Sequence, residues 1–163
     1  IGMPSCGKTT VGRIISEMTG RRLLDTDEMI VRLANLSIPE IFEQSGEAAF
    51  RALERDAVAE AAKQSGVIIA TGGGVVKRAV NIERLKKTGT IYFIDRRPED
   101  IAGDVEVSTR PLLAEGSAKV YTLYHERITL YRKAADEIVV NEGSLESVLE
   151  KLMKLAIRGQ GII

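Results

Sequence analysis

Eight residues near the start, Gly2-Met3-Pro4-Ser5-Cys6-Gly7-Lys8-Thr9, satisfy G-x-x-x-x-G-K-[ST] at every fixed position. Residues of these types at this spacing wrap an anion. The glycines let the backbone turn so that successive N–H groups point inward, Lys8 reaches the outer phosphates, and the Thr9 hydroxyl is placed for a magnesium ion. Gly2, Ser5, Cys6, Gly7, Lys8, Thr9 and Thr10 are therefore the expected phosphate contacts. Such a match also arises by chance, but Val11, Ile14, Ile15 and Met18 follow at helical spacing, the context the motif requires. In that nest, beside Lys8 and a helix start, a Cys6 thiolate is favoured. The plainer reading of Cys6 is an inert small side chain.

Other residue types carry chemistry further along. Asp25 and Asp27 stand two apart at the end of a short apolar run, so in extended chain both carboxylates share one face; alternatively, Asp25 or Thr26 caps the next helix. Arg51 lies beside Phe50 rather than on a fully wet helix face, and its planar donors suit a carboxylate. Blandly, it pairs on the surface with Glu47 or Glu54. Gly72, Gly73 and Gly74 follow an apolar run and offer backbone N–H groups with no Cβ in the way. A flexible turn explains one glycine well and three poorly. Arg110 sits in a long aperiodic stretch, where it can swing onto phosphates as a lid closes. His125 reads as a helix residue without a catalytic duty.

These groups need a scaffold, and the chain alternates strand and helix. The expected strands are 22–24, 67–70, 90–94 and 138–140. The run 67–70 has the look of a strand covered on both faces. Helices are expected through Met29, Ile30, Leu33 and Ala34, from the capping box Ser37-Ile38-Pro39-Glu40 through Phe42, over 47–63, 82–87 and 144–155, and from Ser117 with Arg127 near the middle. Gly46 separates the second and third of these, and Pro98 starts a turn or short helix. The expectation is a parallel sheet wrapped by helices, with the site beyond the carboxyl ends of the strands.

The 163 residues, 44% of them apolar, suit one domain spanning 1–163, with a lid at about 103–117. Lysine plus arginine and aspartate plus glutamate each number 23, so no overall field draws the chain to nucleic acid or a membrane. One cysteine and one histidine leave neither an internal disulfide nor a structural zinc set. A reducing, cytoplasmic setting is expected. A loop of this kind is normally fed by a buried strand of about five residues, yet only Ile1 precedes Gly2. The first strand is thus expected to be missing, and the chain to be truncated, processed, or cut from a longer or fused polypeptide. The tail Gly159-Gln160-Gly161-Ile162-Ile163 reads as a strand that would fill that place in a permuted chain.

Taken together, Gly2 to Thr9, Asp25-Thr26-Asp27, Gly46-Glu47 with Phe50-Arg51 and Glu54, Thr71-Gly72-Gly73-Gly74, Arg110-Pro111-Leu112-Leu113, and Arg127 with Leu130-Tyr131 resemble shikimate kinase in order and in type. The resemblance runs from Ile1 to about Leu155. It implies a P-loop, nucleoside-monophosphate-kinase-like three-layer α/β fold with a mobile lid, usually monomeric. The implied reaction moves the ATP γ-phosphoryl group to the 3-hydroxyl of shikimate in aromatic biosynthesis. By the same resemblance Lys8, Asp27 and Arg110 are catalytic, and Thr9 and Asp25 hold Mg2+, Asp25 through water. Asp27, Arg51, Gly72, Gly73, Gly74 and Arg127 bind shikimate, with both arginines on its carboxylate. Ser5, Cys6, Thr129, Gly103 and Asp104 depart from the family's usual residues. A gluconate-type kinase would keep the loop and the lid without two arginines and a triple glycine. A nucleotide-binding module that has lost catalysis is the reading from another class.

Overall fold

The computed structural model describes residues 1–103, 117–142 and 144–159, with 117 and 156–159 described as backbone alone. The elements in order are α1 (Lys8–Thr19), β1 (Leu23–Asp25), α2 (Thr26–Ala34), α3 (Ile38–Ala61), β2 (Ile68–Ala70), a 3-10 turn (Val75–Lys77), α4 (Ala79–Thr88), β3 (Tyr92–Arg96), α5 (Pro98–Gly103), α6 (Ser117–Ala134), β4 (Glu137–Asn141) and α7 (Leu145–Gly159).

All the described strand pairs are parallel. Leu23 pairs with Ile68 and Asp25 with Ala70, while Tyr92 to Arg96 lie against Glu137 to Asn141. They form two parallel pairs, β1 with β2 and β3 with β4, flanked by helices as the expected α/β fold requires. Ile1 lies along β3: its amine donates to Tyr92 O at 2.8 Å and its carbonyl accepts from Ile94 N–H at 3.0 Å. Carbonyls alternate between the two edges of a strand, and Ile91 O faces Asp136 at the start of β4. Ile1 therefore occupies the edge of β3 away from β4, as one residue of parallel pairing with Phe93.

Two apolar clusters hold the elements. The larger gathers Met3, Val11, Val58, Val75, Phe93, Ile101, Val120, Tyr131, Val139 and Val148, with Ile1 and Ile69 packed against it. Ile30, Ile41, Phe50 and Ala57 form the second, which joins α2 to α3. Ser37 opens α3 with a reciprocal cap, its N–H donating to Glu40 Oε2 at 2.7 Å, a device that contributes about 1 kcal/mol. Gly46 then interrupts α3 with φ 76° and ψ 178°. The reset expected there is thus a kink inside one long element.

Boundaries moved by one or two residues in all four strands. β3 runs two residues later than 90–94, because Asp95 and Arg96 continue the pairing with β4 despite their charge. In β2, Ile68 and Ile69 are only half-buried, not covered on both faces. Among the described residues no helix is long and apolar enough to cross a membrane. The proposed lid with Arg110, and the tail from Gln160 to Ile163, lie outside the described residues.

Candidate active site

The anion loop is built by close approach. A Cβ on Gly2 would stand 2.7 Å from both Cys6 Sγ and Ile94 O, so the first glycine lets the loop leave the edge of β3. Gly7, at φ 95°, opens α1, and Ser5 also takes a positive φ of 61°. The ends of two strands grip the loop's carbonyls from behind: Arg96 donates to Ser5 O at 3.3 Å and Asn141 Nδ2 to Cys6 O at 3.5 Å. Lys8 Nζ rests on Met3 O at 2.6 Å. Cys6 is fully buried, with Sγ 3.7 Å from Lys8 Nζ. Its side chain packs into the core while its backbone lines the loop, which favours the inert reading over that of an exposed reactive thiolate.

Asp25 accepts from three donors. Its Oδ2 accepts from the Thr9 hydroxyl at 2.8 Å, and its Oδ1 accepts from the N–H groups of Asp27 at 2.9 Å and Glu28 at 3.4 Å, capping α2. The contact with Thr9 and the helix cap are therefore carried by different oxygens. Asp25 ends β1, but Asp27 stands in the first turn of α2, so the two acids converge through a strand-to-helix turn and not through alternation along one strand. Thr26 between them is buried, and its hydroxyl accepts from Gly72 N–H at 3.1 Å.

Each glycine of the triple meets a different part of the site. A Cβ on Gly72 would collide with Asp27 Oδ1, one on Gly73 would lie 2.6 Å from Pro4 Cδ, and one on Gly74 would fall on the Arg51 guanidinium. The loop is thus glycine because three neighbours press on it. The carbonyls of Gly72 and Gly74 accept from the N–H groups of Val75 and Lys77, closing the 3-10 turn.

Arg51 is 5% exposed. The expected pairing with Glu47 or Glu54 holds for both acids: the Arg51–Glu54 pair is buried, whereas Glu47 meets Arg51 from the exposed side. Arg51 Nε and NH2 donate to Glu47 Oε1, each at 3.1 Å, and NH1 donates to both oxygens of Glu54 at 3.0 Å. Glu54 is fully buried. Burial pushes its carboxyl above the usual range; Arg51 opposes that shift, and the nearby Asp27 charge adds to it. Lys77 reaches the same Glu47 Oε1 at 2.7 Å.

Arg127 is 2% exposed and comes from α6, where its NH1 donates to Gly73 O at 3.3 Å. The Tyr131 hydroxyl, one turn later, donates to the same oxygen at 2.5 Å. The Tyr131 ring stacks on Phe93, and burial drives its phenol pKa far up. Arg127 Nε is buried with no hydrogen-bond partner among the described residues. An orphaned donor of this kind is costly unless a ligand meets it. Since consecutive Cα atoms are about 3.8 Å apart, Arg51 against Gly74 and Arg127 on Gly73 are within reach of one small anion. Pro4 against Gly73 sets the glycine loop beside the anion loop. His125 is exposed.

Sequence reasoning named Glu47 and Glu54 as partners of Arg51 but missed that Glu54 is buried, the contacts that Thr26 and Tyr131 make with the glycine loop, and the parts played by Lys77, Arg96 and Asn141. The i, i+4 and i, i+3 spacing of the acids from Arg51 was a usable signal. The other links join residues tens of positions apart.

Comparison with known proteins agrees with this geometry. The shikimate kinase family model matches residues 4–156. A shikimate kinase of Clostridium botulinum is 46% identical over 157 residues, covering 96% of this chain and 94% of the relative. One of Clostridium beijerinckii is 45% identical, covering 96% and 92%. Among solved structures, the shikimate kinase of Acinetobacter baumannii in complex with shikimate superposes with a TM-score of 0.91 at 32% identity, over 99% of this chain and 93% of that one. The enzyme of Aquifex aeolicus gives 0.84 at 34%, over 99% and 96%.

Proposed function

The chain belongs to the shikimate kinase family, a family of phosphotransferases, and we propose that it moves the γ-phosphoryl group of ATP onto the 3-hydroxyl of shikimate. The observation that carries this reading is the pair of buried arginines on neighbouring glycines, Arg51 against Gly74 and Arg127 on Gly73, directly beside the phosphate loop.

Phosphoryl transfer asks a protein mainly for in-line positioning and for neutralisation of developing charge. Lys8 leaves Met3 O for the outer phosphates, and the loop N–H groups from Ser5 to Thr10 meet the remaining oxygens. Arg51 and the unpartnered Nε of Arg127 clamp the acceptor carboxylate. Asp27 holds the ring hydroxyls and takes the proton of the attacking one. With the loop carbonyls engaged, the N–H groups of Gly73 and Gly74 are left to steady the ring.

The donor set also fits a magnesium ion arriving with the nucleotide. Mg2+ prefers hard oxygens and usually takes one or two from protein, the rest from phosphate and water. The Thr9 hydroxyl and Asp25 Oδ2, 2.8 Å apart, are such a pair; among the described residues no cluster of three acidic, histidine or cysteine ligands exists to hold a resident metal. Bound there, the ion would neutralise charge between the phosphates. Thr9 would ligate it directly and Asp25 through water.

The test is coupled ADP release with shikimate, with gluconate and with no acceptor. Release that depends on shikimate and on Mg2+ is expected. Release with gluconate at an equal rate, or release indifferent to any acceptor, would overturn the assignment.

A further inference from the structure

The carboxylate clamp contains an acid that ought to hinder it. Glu47 Oε1 accepts from both Nε and NH2 of Arg51, the donors a ligand carboxylate would want, while Glu54 holds NH1. Glu54 in turn feels the charges of Asp27 and Arg127. The cluster built on Arg51 and Glu54 thus holds three carboxylates, Glu54, Asp27 and, at its exposed edge, Glu47, against two arginines, Arg51 and Arg127. Such a pocket would repel an anion.

We propose that Lys77 corrects this balance. It acts as a positioning residue that draws the charge of Glu47 away from Arg51, so that the guanidinium is free to grip the acceptor's carboxylate. Lys77 Nζ lies 2.7 Å from the same Glu47 Oε1 that Arg51 uses. Its backbone is fixed to the site, because its N–H donates to Gly74 O at 3.0 Å and Gly74 lies against Arg51. Glu47 follows the kink at Gly46, so Lys77 also ties the second segment of α3 to the glycine loop. An oxygen sharing three donors gives less of its lone-pair density to each. With Lys77 counted, the cluster has three cations, Arg51, Arg127 and Lys77, to its three acids, and a carboxylated ligand no longer meets excess negative charge. The hydrogen bond from Lys77 is also the largest influence holding the Glu47 carboxyl below its ordinary range, which fits a carboxylate kept ionised by this lysine.

The inference rests on the shikimate reading, so the unaltered chain is assayed first. Lys77→Met should then raise the KM for shikimate about five- to tenfold, the scale of one partly exposed charge interaction next to a binding group, with kcat unchanged. Lys77→Arg should restore the parent value. The methyl ester of shikimate, which lacks the charge, should lose nothing on substitution, whereas a merely structural role would weaken ester and acid alike. If the parent neither binds nor phosphorylates shikimate, the reading fails and the inference with it. If the parent is active but Lys77→Met leaves KM within about twofold, or lowers kcat instead, the inference alone is overturned.

Discussion

Gly74 lies against Arg51 so closely that the smallest possible side chain at 74 would occupy the space of the guanidinium. The arginine's position is therefore defined from three directions: Glu47 and Glu54 hold its nitrogens, and bare backbone bounds its face. Gly74→Ala should displace the fork and raise the KM for shikimate by at least about tenfold, the weight of one impaired charge-assisted contact. The KM for ATP should stay near the parent value. Steady-state kinetics with each substrate varied in turn checks both halves.

Arg51→Ala removes a ligand contact and strands an acid. Glu54, fully buried, would lose its partner, and an uncompensated buried charge costs about 3 kcal/mol or more. Urea unfolding at neutral pH should show that loss. Adding Glu54→Gln should recover part of the stability without recovering shikimate affinity.

The raised pKa of Glu54 predicts the sign of a pH effect. The folded protein holds the Glu54 proton more tightly than the unfolded chain, whose carboxyl titrates near 4.5. The resulting destabilisation is absent below that value and develops as pH rises from there through the raised folded pKa. The parent should therefore lose stability relative to Glu54→Gln over that window. Parallel denaturation curves across it would refute the shift.

Asp27→Asn keeps the shape of the side chain and removes its basicity. Turnover should fall by about 10²–10⁴, the usual contribution of a positioned general base, with little change in shikimate binding by calorimetry. An equal loss in binding and turnover would make Asp27 a binding group only.

Ser5 adopts a left-handed backbone, φ 61°, inside the phosphate loop. Ser5→Gly should relieve that strain and stabilise the fold by roughly 0.5 kcal/mol, the difference between the left-handed penalty and the greater freedom of glycine in the unfolded chain. The N–H at position 5 survives, so the KM for ATP should hold. Thermal melts and kinetics report the two quantities separately.

Much of the site was legible because its parts are local. The loop from Gly2 to Thr9 is a spacing of residue types, and the capping of α2 by Asp25 is decided within four residues. Gly46 marked the kink in α3 because few other residues tolerate φ 76° there. What stayed hidden is long-range. Nothing in the neighbourhood of Lys77 announces Glu47, 30 residues earlier, and nothing around Tyr131 announces Gly73, 58 residues away. The later end of β3 was missed for a related reason. Arg96 looks like a strand terminator until its partner, the carbonyl of Ser5 some 91 positions back, is known.

The contact between Gly73 and Pro4 has a consequence for how the two substrates meet. The backbone of Gly73, in the loop proposed to receive the alcohol, rests against the Pro4 ring of the loop proposed to receive the triphosphate. The separation between hydroxyl and phosphorus would then be set largely by how closely bare main chain can nest on a rigid proline ring, and hardly by any flexible rotamer. Bulk introduced at this seam would lengthen the path of the transferred group even where each substrate still bound with full affinity.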